Sequence, residues 1–175
     1  MNKKVEIAVE IAKKLNSRAQ AMKLDVPILE GLNDVFSPSE KILFAVGDDY
    51  FLEQFITDGF LNSDESFDDR VNKNITGIKK VLLDNSISES DENFQDLGSF
   101  TNGIFNFRVY LQYIQKDKRP ICQATAYFLE PKSNAFYQLN LSMIVTERNT
   151  VEEIFQVLKE KIVLILKDIK YKESV

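Results

Sequence analysis

The sequence predicts an α+β fold, and three observations predict it. Across residues 104–145, apolar and polar side chains alternate with a period of two in three segments, separated by turn-forming residues. Residues 151–170 carry an apolar stripe at helical spacing, and residues 3–24 carry a second stripe of smaller side chains at the same spacing. Strands gathered in one stretch, with helices at both ends, predict an antiparallel meander whose apolar face is covered by the C-terminal and N-terminal helices. With 175 residues, a single domain spanning 1–175 is expected.

In the first helix, Val5, Ala8, Ala12, Leu15, Ala19 and Met22 recur three or four apart, and Asp25-Val26-Pro27 ends the pattern. The sequence predicts a helix-rich first half. A short helix after Pro27 would carry Ile28, Leu29, Leu32 and Phe36 on its apolar side. Ser37-Pro38-Ser39-Glu40 has the spacing of a capping box with proline at the first helical position, which predicts a helix through Ile42–Val46 closed by Gly47. The apolar run 42–46 would serve equally as a buried strand. Asp48 or Asp49 would cap the next segment, Tyr50 to Ile56. From Thr57 to Thr101 the periodicity weakens: residues 62–66 and 85–93 read as polar turns, and Ile75–Leu83 fits either helix or strand.

The second half is explicit. In Phe105–Tyr113 every odd position is apolar. Lys116 to Arg119 form a charged turn, Ile121–Leu129 a second strand, Pro131 to Asn134 a second turn, and Ala135–Val145 a third strand. Four-residue loops at both turns place Gln112 opposite Gln123, Tyr110 opposite Thr125, and Arg108 opposite Tyr127. They place Tyr127 opposite Gln138, Thr125 opposite Asn140, and Gln123 opposite Ser142. Both hairpins then agree on which face is apolar (Val109, Leu111, Ala124, Ala126, Leu139, Leu141, Met143), and a one-residue slip would destroy that agreement. Ala124 and Ala126 leave a trough for a helix. Thr150-Val151-Glu152-Glu153 opens one as a capping box, with Val151, Ile154, Phe155, Leu158, Ile162, Ile165, Leu166 and Ile169 as its stripe. Val157, Val163 and Leu164 fall off that stripe, so the helix is expected to be covered on a second side by another helix or by a second subunit, as in a homodimer through the C-terminal helix.

Composition excludes more than it identifies. The chain has no histidine and one cysteine, which rules out Ser-His-Asp and Cys-His arrangements and removes the commonest zinc ligands. Glycine-rich phosphate loops are absent from the sequence, so no cofactor is expected. The acidic runs Asp64, Glu65, Asp68, Asp69 and Asp84, Glu89, Asp91, Glu92, Asp96 lack the EF-hand alternation of ligands, and no metal site is assigned. Asp48, Asp49 and Glu53 are the carboxylates that a histidine-free hydrolase would use. Cys122 falls on the apolar face as a small hydrophobe. With no apolar signal region, no membrane-length apolar run and one cysteine, a cytoplasmic protein is expected.

The net charge of −5 is uneven. Residues 44–100 carry four basic and thirteen acidic side chains, which disfavours nucleic acid and favours a basic partner. The sequence therefore points to a non-catalytic protein-binding module, such as an effector chaperone or an immunity-type protein. Its surfaces would be the acidic middle and the polar meander face, with Arg108, Tyr110, Gln112, Thr125, Tyr127, Gln138 and Asn140 as contact residues. A self-assembling, phage-type component and the carboxylate hydrolase are the alternatives. In layout the chain resembles small bacterial secretion-chaperone, immunity-protein and PsbP-like folds, though no family motif is matched residue by residue.

Overall fold

The meander anticipated from alternation is the centre of a larger sheet. The computed structural model describes residues 24–27, 32–39, 42–47, 52–88, 90–116 and 119–171, and for residues 32–58 the description extends to the backbone. In chain order the elements are β1 (Leu24–Asp25), β2 (Leu32–Ser39), β3 (Ile42–Gly47), β4 (Leu52–Phe60) and α1 (Phe67–Asp84). They continue with β5 (Phe94–Thr101), β6 (Asn106–Lys116), β7 (Arg119–Glu130), β8 (Ala135–Ile144), α2 (Val151–Asp168) and β9 (Lys170–Tyr171). Seven strands form one sheet in the order β2-β3-β4-β8-β7-β6-β5, antiparallel throughout, while β1 and β9 form a separate two-stranded ladder.

The predicted register holds pair for pair. Gln112 lies opposite Gln123, Tyr110 opposite Thr125, and Arg108 opposite Tyr127. Tyr127 lies opposite Gln138, Thr125 opposite Asn140, and Gln123 opposite Ser142. The apolar face is covered by α2, whose Thr150 cap accepts from the Glu153 amide while the Glu153 carboxylate reaches back to the Thr150 amide. Ile154, Phe155, Leu158, Ile162, Ile165 and Leu166 are buried against Val109, Leu111, Ala124, Ala126, Leu139 and Leu141. The trough at Ala124 and Ala126, both fully buried, is where α2 comes close to β7. Large side chains from the helix fill it, as close packing requires.

The first half departs from the sequence reading at several places. Residues 32–39, 42–47 and 52–60 are strands, so the helix expected over Ser37–Val46 and the segment expected over Tyr50–Ile56 are corrected to a hairpin and the strand that joins it to β8. Leu32 and Phe36, assigned to a short helix, sit in β2. The physical reason is competition: a proline and two serines permit a helix start, but the β-branched and aromatic run Ile42–Val46 fits a strand paired on both sides. The N-terminal helix over 3–24 falls outside the described residues, apart from Leu24 in β1.

The ambiguous stretch 75–83 is helical and belongs to α1, an 18-residue helix that starts well before it. Ser66 caps it, its side chain accepting from the Asp69 amide at 3.1 Å while the Asp69 carboxylate accepts from the Ser66 amide at 3.1 Å. Val71, Ile75 and Leu82 form its buried side. Against the other face of the sheet, Val71 and Ile75 pack with Tyr110, Tyr127 and Phe136. The sheet is thus sandwiched, α2 on one face and α1 on part of the other.

Leu164 is 53 % exposed on α2, while Ile162, Ile165 and Leu166 beside it are buried. Leu164→Glu is therefore expected to change unfolding free energy by no more than about 0.5 kcal/mol, as for other surface positions, when read by urea titration. If this helix carries a subunit interface, light scattering of the same variant should show the oligomer dissociating.

Candidate functional site

Antiparallel pairing across β5–β6 sets Ser99 beside Arg108 and Thr101 beside Asn106. Phe67 and Asp68, at the start of α1, rise over these pairs and enclose a cleft of about 410 Å³. Arg108 Nη2 donates to Tyr110 Oη at 3.0 Å. Its guanidinium lies 3.7 Å from Asp68 Oδ1 and 3.6 Å from Asp96 Oδ2, with those side chains 71 % and 52 % exposed. Both carboxylates sit beyond hydrogen-bonding distance, so neither fills the arginine's fork. Arg108 Nε is buried and has no partner among the described residues. Burial pushes the Tyr110 phenol up, against the downward pull of Arg108.

The rest of the row expected to face solvent is corrected by burial. Tyr110, Gln112, Thr125, Tyr127, Asn140 and Ser142 are all buried, and of the contact residues named from the sequence, Arg108 and Gln138 keep partial exposure. Tyr110 and Tyr127 pack under α1, with Tyr127 stacked on Phe136. The others form a hydrogen-bonded ladder across three strands. Gln112 Nε2 donates to Gln123 Oε1 at 2.8 Å and to Thr125 Oγ1 at 3.0 Å. Thr125 Oγ1 donates to Asn140 Oδ1 at 2.8 Å, which also accepts from Gln138 Nε2 at 3.1 Å, and Gln123 Nε2 donates to Ser142 Oγ at 3.0 Å. Alternation shows which face a residue takes; it does not show whether that face is wet.

On the opposite face, a groove of about 680 Å³ runs between the turn that leads into β5 and the first half of α2. Asp91, Glu92 and Glu152 rim it, with Lys159 at one end and Leu111, Val151 and Phe155 in its lining. Strand β5, between the two hollows, is the last strand of the sheet. Its register is broken between Asp96 and Gly98, where Gly98 takes a φ of 78° and its amide donates to Asp96 Oδ1 at 2.7 Å. A bulge whose free amide is occupied blunts an edge against strand addition.

Two of the other acids, Asp69 and Glu65, have local structural roles. Asp69 belongs to the α1 cap, and Glu65 accepts from Arg70 Nε at 2.9 Å and Nη2 at 2.5 Å, a contact that lowers its pKa. Among the described residues, no three acidic or cysteine side chains gather as a metal site would require. Asp48 and Asp49 lie outside the described residues, as does Glu89, while Glu53 is in β4 opposite Leu141. Cys122 is fully buried on the apolar face, and burial pushes its thiol up to about 12.

A second polar centre was not anticipated. Glu130, 5 % exposed, accepts from Ser133 Oγ at 2.5 Å, the Ser133 amide at 2.7 Å, the Lys132 amide at 3.0 Å and the Tyr171 hydroxyl. Burial alone would raise its pKa, but these donors outweigh it and bring the carboxyl down to about 2. Tyr171 moves the other way, to about 12, through burial and the adjacent Glu130. Lys132 Nζ lies 4.5 Å from the centre of the Tyr171 ring. Nearby, Asn102 Nδ2 donates to the carbonyls of Leu166 and Ile169, both at 2.8 Å, closing the end of α2. The sequence signal for Glu130 is Glu-Pro-Lys-Ser-Asn, an acid placed just before a turn with free amides; its tyrosine partner is 41 residues away and carries no signal.

No protein-family model matches the chain, and no curated protein sequence does. Among solved structures, a similar arrangement occurs in LpqN, involved in cell envelope biogenesis of Mycobacterium tuberculosis. It is 14 % identical, with 86 % of this chain and 83 % of that one covered at a TM-score of 0.40. Among the described residues, no helix is long and apolar enough to cross a membrane.

Proposed function

We propose that this protein is a non-catalytic cytoplasmic binding module for a basic protein partner, of the effector-chaperone or immunity type. One observation carries the reading: exposed carboxylates from separate segments gather around the sheet edge at β5. Asp68 comes from the start of α1, Asp91 and Glu92 from the turn before β5, and Asp96 from β5 itself, all exposed. Arg108, Lys159 and Lys79, whose ammonium lies 5.5 Å from the Phe94 ring of β5, are cations beside these four carboxylates, so the region is net negative. Charges of one sign around concave surface favour encounter with the opposite sign and suppress wrong partners. Of the sequence-predicted contacts, Arg108 lies beside this surface, while Gln138, also partly exposed, sits on β8, three strands from β5.

The site chemistry supports binding over catalysis. A general acid at neutral pH needs a raised carboxyl pKa, whereas among the described residues the shifted acids Glu65 and Glu130 move down. A nucleophilic cysteine needs a lowered thiol pKa and access, and Cys122 has neither. Exposed Leu164 supports the second reading, self-assembly through α2.

The test is an affinity capture of the tagged chain from native lysate, with light scattering of what elutes, using wild type and Asp68→Lys/Asp96→Lys. Wild type is expected to hold one stoichiometric partner that high salt releases. The double variant should bind that partner at least about tenfold more weakly, since reversed charges turn attraction into repulsion. Equal retention by the variant would refute the acidic-surface reading, and a chain that elutes alone as a defined oligomer would favour self-assembly.

A further inference from the structure

In the Arg108 cleft the geometry points to a binding site for a free α-amino acid with a polar, uncharged side chain, its carboxylate on Arg108 and its ammonium on Asp68. The site is independent of the protein-binding reading. It rests on opposite charges that face each other across a cleft without meeting. The cleft, about 410 Å³, lies within the roughly 300–1,000 Å³ typical of small-ligand sites. Its polar lining is open to solvent: Asp68, Ser99, Thr101 and Asn106 are exposed, and Arg108 and Phe67 keep part of their surface.

Arg108 defines the charged end. Its Nη2 donates to Tyr110 Oη at 3.0 Å, whereas Nη1 makes no hydrogen bond among the described residues and lies 3.7 Å from Asp68 Oδ1. The side chain is 29 % exposed, so this open edge is within reach of a ligand carboxylate, which a guanidinium matches well. Exposed ion pairs contribute little, so a ligand that spans Arg108 and Asp68 gives up little by loosening them. Net charge then decides the ligand class. A bare anion on Arg108 meets Asp68 and also Asp96, which lies 3.6 Å from Nη2. A bare cation on Asp68 meets the guanidinium. A molecule with carboxylate and ammonium on one carbon pairs with both and brings no net charge.

The floor selects the side chain. Ser99 pairs with Arg108 and Thr101 with Asn106, so these four share one face, while Phe100 and Phe107 turn to the apolar core on the other. The Thr101–Asn106 pair lies two residues from the charged end, about 6.6 Å at the usual strand rise. A side chain of glutamine length reaches it and meets a hydroxyl and a carboxamide. Thr101 Oγ1 accepts from the Gly103 amide at 3.1 Å, which leaves its proton to donate. A charged side chain would have no counter-charge at that end.

Backbone amide shifts of the full chain test the site with four probes: L-glutamine, its α-carboxamide, N-acetyl-L-glutamine and glycine. Glutamine is expected to shift amides of residues 67–68, 99–101 and 106–108, and to bind at least tenfold tighter than either blocked derivative. Glycine should bind severalfold more weakly. Asp68→Asn, at an exposed position, and Arg108→Lys, which keeps the charge without the fork, should each weaken glutamine at least fivefold. Asn106→Ala should bring glutamine to the level of glycine and leave glycine unchanged. Glu152→Gln, on the opposite face of the sheet, should change glutamine binding less than twofold. Absent or displaced shifts, a blocked derivative that binds as tightly as glutamine, or indifference to Asp68→Asn would each overturn the site. Equal affinity for glycine would overturn the side-chain assignment. If glutamine fails while the wild-type chain still captures a salt-sensitive protein partner, the protein-binding reading stands and the amino-acid site does not.

Discussion

Replacing Glu130 with glutamine is expected to lower the unfolding free energy at neutral pH by about 2–3 kcal/mol, since hydrogen bonds to a charged group contribute roughly 1.5–3 kcal/mol each and several are affected. The glutamine keeps one oxygen, but its amide nitrogen meets donors where the carboxylate offered acceptors. Those donors are the Ser133 hydroxyl and amide, the Lys132 amide and Tyr171. The damage should be centred on the C-terminal ladder, because Tyr171 is paired with Leu24 in β1 and packed 5.2 Å from the Phe105 ring. Hydrogen exchange should show lost protection around 24–25 and 169–171 before the central strands. The pH dependence has a definite sign. The folded carboxyl titrates near 2 against a usual 4.5, so the stabilisation is complete above about pH 4.5 and is lost as pH falls towards 2. The gap between wild type and Glu130→Gln should close across that window. A gap that is already absent at pH 7, or that widens in acid, would show that the carboxylate does not hold the ladder. At the alkaline end, Tyr171 and Tyr137 are both raised to about 12, so they favour the fold up to about pH 10 and oppose it increasingly above.

What was legible in the sequence, and what was not, divides along physical lines. Strict alternation in 105–145 has one solution for two linked hairpins, and every pair it assigned is present because a slip would put Leu111 and Ala124 on the wrong face. Helix α2 was equally legible, since Thr150 to Glu153 is a full capping box followed by a long stripe. The first half was harder because its signals conflict: Ser37-Pro38 suits a helix start, while Ile42–Val46 pairs on both sides as β3. Helix α1 was hidden for a different reason. Its cap uses Asp69 in place of Glu or Gln, and its buried stripe is narrow, with Val71, Ile75 and Leu82 among polar residues. Missing α1 as a whole helix had a functional cost: without a cover for the second face, Tyr110 and Tyr127 read as solvent-facing contact residues. Arg108 remained partly accessible because it lies near the start of α1, where the helix no longer covers the sheet.

Thr125 sits at the middle of the buried ladder, between Gln112 and Asn140. Thr125→Val keeps shape and volume but removes the hydroxyl that accepts from Gln112 and donates to Asn140. It should cost about 1–3 kcal/mol, because buried polar groups that lose a partner retain their full desolvation penalty. Gln112 already has a buried Oε1 with no partner among the described residues, so the network has little slack to absorb the loss. Had this face been solvated, as its polarity suggested, water would replace the hydroxyl and the same substitution would be nearly silent. A further variant separates the two cases. Combining Thr125→Val with Gln112→Leu and Asn140→Leu removes the two buried partners of the hydroxyl along with it, leaves the half-buried Gln123 and Gln138 to be hydrated, and should recover part of the loss through apolar burial. Chemical denaturation of the single and triple variants measures this directly. Recovery in the triple variant means the ladder stabilises the sheet through mutual satisfaction of its members. A triple variant less stable than the single one by a further several kcal/mol would mean that the leucines do not fit, and that shape at this face matters more than its hydrogen bonds.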